Sequence, residues 1–350
     1  MKKFITIVSI LCIIAIMSGC SLISKVENTD EEVKSKSQTV LTVNGNEYSL
    51  DRFNLLYYSA QDEVLSSAGY ANSSDIPEDF WKQEVDGKSN LQRAKESALT
   101  ALINDALCYQ KAKELGIELT AEEKSQISNQ MAYLRQDSMS KDQFETIGIG
   151  EEELENYYTE MFHINHIIPA LIKAGELKAD EEAVLSTFKE SYVKAKHILR
   201  FTIDPNTNEP LSEDKVAAAE AKAQEILDRI NAGEDFDKLM KEFNEDGGAA
   251  NAPDGYVFTT GNMVPPFEEA AFALKENQVS GLVHSDFGIH IIKRVPFDME
   301  GEQEIAALEA IRSSLVMPDY EELVKVWKSK ADIKIEQDII DGLKPTIVKN

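Results

Sequence analysis

The sequence predicts an α+β protein in which a small antiparallel sheet with flanking helices is inserted in a mostly helical domain. Three observations lead to this prediction. Apolar residues at helical spacing dominate the chain before residue 190. Between residues 191 and 297 the pattern becomes strand, two helices, strand, helix and two strands. The remaining tail is too short to fold alone, so we expect it to pack on the helical domain.

The first twenty residues, MKKFITIVSILCIIAIMSGC, combine a short basic start with an apolar run that ends in small residues. The run is short for a bilayer span and a polar stretch follows it, which predicts a cleaved export signal over residues 1–19. The ending MSGC resembles the lipobox of bacterial lipoproteins, which implies that Cys20 is acylated, for example with palmitate. An ordinary signal peptide with an incidental cysteine is the alternative. Residues 20–38 are polar and lack periodicity, as in a flexible tether.

Composition excludes several classes of function. The formal charge is −26, and it becomes −28 once Lys2 and Lys3 leave with the signal. Such an acidic chain repels nucleic acid and anionic head groups. Beyond the signal and Cys20 there is one more cysteine, Cys108, in an apolar helical pattern typical of a core residue. A disulfide framework and a thiolate metal site are therefore excluded.

The helical domain begins with a predicted hairpin. Asn44-Gly45 separates two alternating stretches in VLTVNGNEYSL. Apolar residues at helical spacing over 89–116 predict a helix. Thr120 and Glu123 match a capping box that opens a second helix, and 150–162 predicts a third. These helices are rich in Met and Tyr, which favours either an ordinary core or adaptable grooves for unfolded polypeptides.

The middle segment has a clear order of elements. We predict strands at 192–201, 255–258, 279–284 and 288–295, and helices at 211–233, at 236–243 and from Pro265 onward. Ser212 is the expected cap of the first of these helices. In the tail, 317–330 predicts a helix and 331–336 a strand.

Two histidines lie in predicted strands of this segment. His197 is on the apolar face of the first strand, and His290 is in the last. A buried imidazole needs a hydrogen-bond partner or a task. If the two strands are neighbours in the centre of the sheet, the two rings can approach each other. Two satisfied structural histidines are the plainer alternative.

Three stretches decide between these readings. KHIL (196–199), GNMVPPFEEAAFAL (261–274) and FGIHIIKR (287–294), in this order and spacing, closely resemble the parvulin family of peptidyl-prolyl cis–trans isomerases. The resemblance covers residues 191–297. The whole layout, with lipobox, helical domain, inserted parvulin unit and returning helix, is similar to the foldase lipoproteins of Gram-positive bacteria. The implied domains are a signal peptide (1–19), a tether (20–38), a helical chaperone-like domain (39–190), a parvulin-like isomerase domain (191–297) and a tail packing on the helical domain (298–350).

The resemblance also implies a site. Its members hold the proline ring in an apolar pocket and keep a histidine pair behind it. The family's pocket leucine falls on Gly255 in APDGY (252–256), so Tyr256 is the expected substitute. The catalytic residues implied are His197, Asp246, Ser285 and His290, and the substrate-binding residues implied are Met263, Phe267, Tyr256 and Phe287. Some relatives bind phosphoserine through basic residues in the loop that corresponds to 201–215. Here that loop is acidic, so we do not expect specificity for phosphopeptides.

The expected function is therefore an isomerase and foldase that assists secreted proteins outside the cytoplasmic membrane, held there by its lipid. Its partners would be unfolded polypeptides with X–Pro bonds. The sequence does not decide whether the chain also forms a homodimer through the helical domain. No cofactor is implied. The paired His163 and His166 lack nearby carboxylates in the sequence, so no metal site is expected. The alternative function is a non-catalytic holdase with an inactive parvulin unit, which the APDGY departure favours. A solute-binding lipoprotein would need two α/β lobes, which the helical first half argues against.

Overall fold

A computed structural model describes residues 38–70, 76–137, 144 and 147–347. The predicted signal peptide, the acylated Cys20 and nearly all of the predicted tether lie outside this part of the chain. Within it, no helix combines the length and the apolar character that crossing a membrane requires.

The predicted helices and strands are present, and the structure also contains elements that the sequence pattern did not predict. The helices are α1 (Leu50–Ser67), α2 (Asn90–Glu114), α3 (Ala121–Gln136), α4 (Glu151–Asn165), α5 (Ile167–Ala174), α6 (Glu181–Ser191), α7 (Glu213–Asn231), α8 (Phe236–Phe243), α9 (Pro265–Ala273), α10 (Glu302–Lys330) and α11 (Gln337–Gly342). The strands are β1 (Thr39–Val43), β2 (Asn46–Ser49), β3 (Glu84–Val85), β4 (Lys88–Ser89), β5 (Tyr192–Phe201), β6 (Tyr256–Thr259), β7 (Val279–His284), β8 (Gly288–Arg294) and β9 (Ile333–Ile335). Helices together with antiparallel sheets confirm the α+β prediction.

The chain divides into two compact units. The helical unit comprises the described residues up to Lys178 and those from Met317, and the sheet unit comprises Ala179–Val316. The sheet unit is therefore wider at both ends than the segment 191–297. The physical reason is a small core in which Phe188 of α6 packs with Ile311 of α10, so that α6 and the part of α10 up to Val316 belong to the sheet unit.

The helical unit closes on a sheet whose strands come from both ends of the chain. The order is β2-β1-β9, and Leu41 pairs with Ile335. The turn between β1 and β2 is Asn44-Gly45, as the sequence predicts, and both residues have positive φ. The capping box of α3 is present, with Thr120 and Glu123 bonding each other's backbone amides. The pairing of β1 with β9 ties the tail to the start of the helical unit.

The sheet unit contains an antiparallel sheet of order β6-β5-β8-β7. Helix α9 packs on one face, where Phe267 meets Val193 and Ile292. Helices α7 and α8 pack on the other face, around Ile198 and Ile291. Side chains alternate between the faces of a strand, so the α9 face also receives the residues two positions from Ile292 and from Ala195, which are His290 and His197.

Two details differ from the sequence expectations. Helix α10 begins at Glu302, fifteen residues before the predicted start at 317, and it continues through Pro318. Proline is common in the first turn of a helix and cannot donate the backbone bond that a helix interior requires, so Pro318 is unusual in the middle of α10. Ser212 is the residue that precedes α7, but its side chain makes no capping hydrogen bond.

Candidate active site

The two histidines face each other from the central strands of the sheet unit. In the β5–β8 register His197 pairs with Ile292, and His290 pairs with Leu199. The ring centroids of His197 and His290 are 5.5 Å apart and the rings are inclined at 65°. The residues are only 8% and 4% exposed, respectively. The expected approach of the two imidazoles is therefore present in the structure, and neither ring is open to solvent as a free nucleophile would be.

Phe267 covers both imidazoles. Its ring centroid lies 5.2 Å from that of His197 and 5.4 Å from that of His290, in edge-to-face geometry with each. Phe267 is fixed because it lies on α9, whose first turn is set by Pro265 and Pro266. The buried ring thus forms the contact between the histidine pair and the apolar side of the site.

Met263 lies just before α9 and is half-buried against the same apolar cluster as Phe267. The carboxylate of Glu268 holds the preceding loop, because its Oε2 accepts a hydrogen bond from the Gly261 amide at 2.7 Å. A flexible thioether at the margin of an aromatic cluster can adapt to an apolar ring placed against it. Met263 and Phe267 therefore lie in the same apolar cluster.

Asp246 reaches the histidines from the loop after α8. Its Oδ2 lies 3.2 Å from Nε2 of His197, and its Oδ1 accepts from the Gly248 amide at 2.8 Å. Asn244 orients this loop, because its Oδ1 accepts from the amides of Leu199 and Asp246 at 2.8 and 3.2 Å. The hydrogen bond with His197 is the main cause that lowers the pKa of Asp246 from 3.8 to about 2, so this carboxylate is ionised at neutral pH.

The ionised carboxylate determines the tautomer of His197. A carboxylate only accepts hydrogen bonds, so Nε2 of His197 must carry the proton that points at Asp246. In the neutral ring Nδ1 is then the bare nitrogen. Nδ1 of His197 and Nδ1 of His290 are both buried and find no hydrogen-bond partner among the described residues. Leaving these buried nitrogens without partners costs free energy, which the rest of the fold must offset.

Ser285 completes the far side of the pair. Its Oγ lies 2.7 Å from Nε2 of His290, across the turn that joins β7 to β8. This turn needs glycine at position 288, because a Cβ there would lie 2.2 Å from the carbonyl oxygen of Arg200. Burial, followed by repulsion from His197, lowers the pKa of His290 from 6.5 to about 4, so His290 is neutral at pH 7.

Tyr256 and Phe287 differ in how closely they join this cluster. The Tyr256 hydroxyl donates to Oδ2 of Asp246 at 3.0 Å, and its ring stacks on His197 with centroids 5.8 Å apart. Burial and then the bond to Asp246 raise the pKa of Tyr256 to about 12. Phe287 is 42% exposed and stands at the solvent-facing turn before His290. Tyr256 thus belongs to the cluster, whereas Phe287 lies at its edge.

Three residues that position the site have no clear signal in the sequence. Asn244 and Glu268 hold the loops that carry Asp246 and Met263. Gln303, from the first turn of α10, brackets Tyr256, because its Oε1 accepts from the Val257 amide at 2.9 Å and its Nε2 donates to the Gly255 carbonyl at 3.0 Å. Asn244 could have been suspected from the polar run FNEDGG; Gln303 lies 46 residues from its partner Val257 and could not.

The remaining titratable residues singled out in the sequence are occupied elsewhere. Nδ1 of His163 donates to the carbonyl of Thr159 at 2.8 Å, and Nε2 of His166 lies 2.5 Å from Oε1 of Glu123. Cys108 is buried beside the Tyr320 hydroxyl, and burial raises the pKa of its thiol to about 12, so it is not a reactive thiolate. Cys20 lies outside the described residues.

The chain is similar to several known proteins. Residues 178–295 match a PPIC-type PPIase domain, and residues 1–148 match a SurA-like N-terminal domain. The foldase protein PrsA of Caldanaerobacter subterraneus subsp. tengcongensis is 28% identical over 89% of this chain and 92% of its own length. The foldase protein PrsA of Clostridium botulinum strain Okra is 25% identical over 95% of this chain and 98% of its own length. A solution structure of the parvulin of Nitrosopumilus maritimus is 36% identical, covering 30% of this chain and 97% of that one, with a TM-score of 0.22.

The two matched domains span most of the chain, and the isomerase domain contains the histidine pair with its aromatic cover. Residues 178–295 thus form a PPIC-type peptidyl-prolyl cis–trans isomerase domain, in a chain that is similar over most of its length to PrsA foldase proteins.

Proposed function

We propose that this isomerase assists the folding of exported polypeptides by accelerating rotation about their X–Pro bonds, with Met263 and Phe267 receiving the proline ring. The observation that carries the proposal is the contact of Phe267 with both His197 and His290. It joins an apolar surface to a hydrogen-bonded network that ends in an ionised carboxylate, Asp246.

The reaction needs no covalent step. The barrier to rotation about a peptide bond is about 18–20 kcal/mol, and a thousandfold acceleration requires about 4 kcal/mol of preferential binding to the twisted state. An apolar pocket that removes the planar amide from water supports this, because conjugation is lost in the twisted state. In the proposed roles, His197, His290 and Ser285 maintain the shape and polarity of the site. Asp246 acts on the amide. Tyr256 and Phe287 line the place where the substrate binds.

The proposal is tested with the chain from residue 21 onward and short X–Pro peptides, by exchange spectroscopy of the cis and trans forms. Acceleration with several residues before proline, and no preference for a phosphorylated one, is the expected result. No acceleration, together with suppressed aggregation of an unfolded client, would instead support the non-catalytic holdase.

The place of action is a further part of the proposal. We infer that residues 1–19 are removed on export and that Cys20 carries the lipid that holds the chain at the outer face of the cytoplasmic membrane. The sequence of residues 1–20 supports this inference. Mass spectrometry of the mature N-terminus should find a diacylated cysteine, and Cys20→Ala should release the chain from the membrane fraction. Gel filtration with light scattering of the chain from residue 21 tests the homodimer.

A further inference from the structure

The backbone fixes Tyr256 at one position in the sheet unit. Tyr256 pairs with Ala195 at the end of the β6–β5 ladder. The residue before it, Gly255, has φ of +104°, and a Cβ there would lie 2.9 Å from the Ala195 carbonyl oxygen. The side chain of Gln303 bonds the backbone on both sides of Tyr256. The apolar side chain expected at position 255 is therefore sterically excluded, and the next residue is held in a fixed orientation.

From this position Tyr256 contacts both Asp246 and His197, which also contact each other. Its hydroxyl donates to the same oxygen of Asp246 that faces His197, at 3.0 Å against 3.2 Å. Its ring lies nearly parallel to the imidazole of His197, with an interplanar angle of 18°. One side chain thus restrains both members of the Asp246–His197 pair.

We propose that Tyr256 is a positioning residue of the isomerase, whose hydroxyl locks the Asp246 carboxylate in the orientation it needs at the substrate amide. This inference rests on the proposed function and assigns Tyr256 a task other than lining the proline pocket. The hydroxyl is already engaged with Asp246, so it acts on the reaction through that carboxylate.

The physical argument concerns the number of donors at one carboxylate. Asp246 is half-buried and accepts from His197, from the Gly248 amide and from Tyr256. Each of these three donors restricts the rotation of the carboxylate, and two of them converge on Oδ2. Without the Tyr256 hydroxyl, Oδ2 retains only His197, and the carboxylate gains freedom in the ground state that it must lose again in the transition state.

The decisive experiment is a cycle of Tyr256→Phe and Asp246→Ala, measured as kcat/KM for an X–Pro peptide and as the Kd of the same peptide. Tyr256→Phe keeps the ring and removes the hydroxyl. We expect it to lower kcat/KM by about three- to tenfold, to leave the peptide Kd unchanged, and to have no further effect in the Asp246→Ala background. Tyr192→Phe is the matched control, because that ring stacks on Phe188 at the far end of the same ladder.

The other outcomes separate the two ideas. If Tyr256→Phe behaves like the parent, or weakens Kd by the same factor as kcat/KM, then the positioning role is overturned and Tyr256 is at most a wall of the pocket. A loss of equal size in both backgrounds also overturns it. If the Asp246→Ala chain has no measurable activity, the peptide Kd of Tyr256→Phe compared with that of the parent decides this point. A parent that accelerates no X–Pro peptide overturns the proposed function itself, whatever Tyr256 does.

Discussion

The hydroxyl of Ser285 and Nε2 of His290 lie 2.7 Å apart, which makes Ser285 the partner of an imidazole that is otherwise enclosed. Ser285→Ala should therefore leave a buried nitrogen unsatisfied and lower the free energy of unfolding by about 1–2 kcal/mol. It should also lower kcat/KM. Urea unfolding and peptide exchange measure the two effects. Ser186→Ala, whose hydroxyl bonds the exposed Glu190, is the control and should change neither.

The depressed pKa of His290 predicts a loss of stability in mild acid. The unfolded residue binds a proton near pH 6.5, whereas the folded residue does so only near pH 4. The unfolded chain therefore holds more protons between these values, so this contribution is complete above pH 6.5 and falls by roughly 1–3 kcal/mol as the pH approaches 4. Unfolding at about pH 7 and about pH 4.5 should show a smaller loss for His290→Gln than for the parent. The exposed His284→Gln should match the parent.

Met263→Ala should separate activity from stability. The side chain is half-buried at the margin of the α9 cluster, so its removal should lower the free energy of unfolding only a little. The proposed proline pocket, in contrast, would lose one of its walls. We expect kcat/KM to fall about tenfold, which corresponds to about 1.4 kcal/mol of transition-state binding. Met240→Ala removes an equally half-buried thioether on the opposite face of the sheet and should leave kcat/KM unchanged. Equal losses in both variants would argue against a pocket at Met263.

Gly288→Ala should disrupt the β5–β8 register. The added Cβ would lie 2.2 Å from the Arg200 carbonyl oxygen, so the strands must separate where His290 is anchored. We expect the free energy of unfolding to fall by about 2 kcal/mol or more and the isomerase activity to be lost as well. Gly281→Ala in β7 is the matched control, because a Cβ there meets nothing within 4 Å. A melting temperature for Gly288→Ala equal to that of Gly281→Ala would contradict the predicted clash.

A buried ion pair predicts that α10 is required by the sheet unit. Nζ of Lys194 lies 2.7 Å from Oε1 of Glu304, with both side chains almost fully enclosed. Glu304→Gln should cost about 3 kcal/mol, because it leaves the Lys194 charge buried and unpaired. Glu309→Gln, which removes an exposed partner of Arg312 on the same helix, should cost less than about 1 kcal/mol. Thermal unfolding of the two variants compares them directly.

The sequence was sufficient for the parts of the molecule that depend on local pattern. Strand β5 and its alternation follow from YVKAKHILRF. The approach of His197 to His290 was expected only on the condition that their strands are neighbours, which the sequence pattern by itself does not establish. Long-range contacts could not be predicted. Gln303 and Glu304 reach residues 46 and 110 positions away, and no periodicity or motif marks them. The bond between Tyr256 and Asp246 likewise depends on a backbone path fixed by Gly255.

Helix α10 shows how a local rule can fail. Pro318 is a plausible first residue of a helix, and the apolar pattern after it is regular. The helix nevertheless starts sixteen residues before that proline, because Ala307 and Ile311 pack on Val184 and Phe188 and stabilise the earlier turns. Tertiary packing has overridden the propensity of a single residue.

The pairing of β1 with β9 fixes the order in which the two units can be completed. The residues of the sheet unit are contiguous, 179–316, so everything it needs is present once residue 316 has emerged. The helical unit must wait for Ile333–Ile335, almost three hundred residues after the strand they join. Closing so long a loop is slow, and a chain that emerges from its N-terminus folds contiguous segments first. The sheet unit can therefore complete its fold before the helical unit that flanks it on both sides in the sequence.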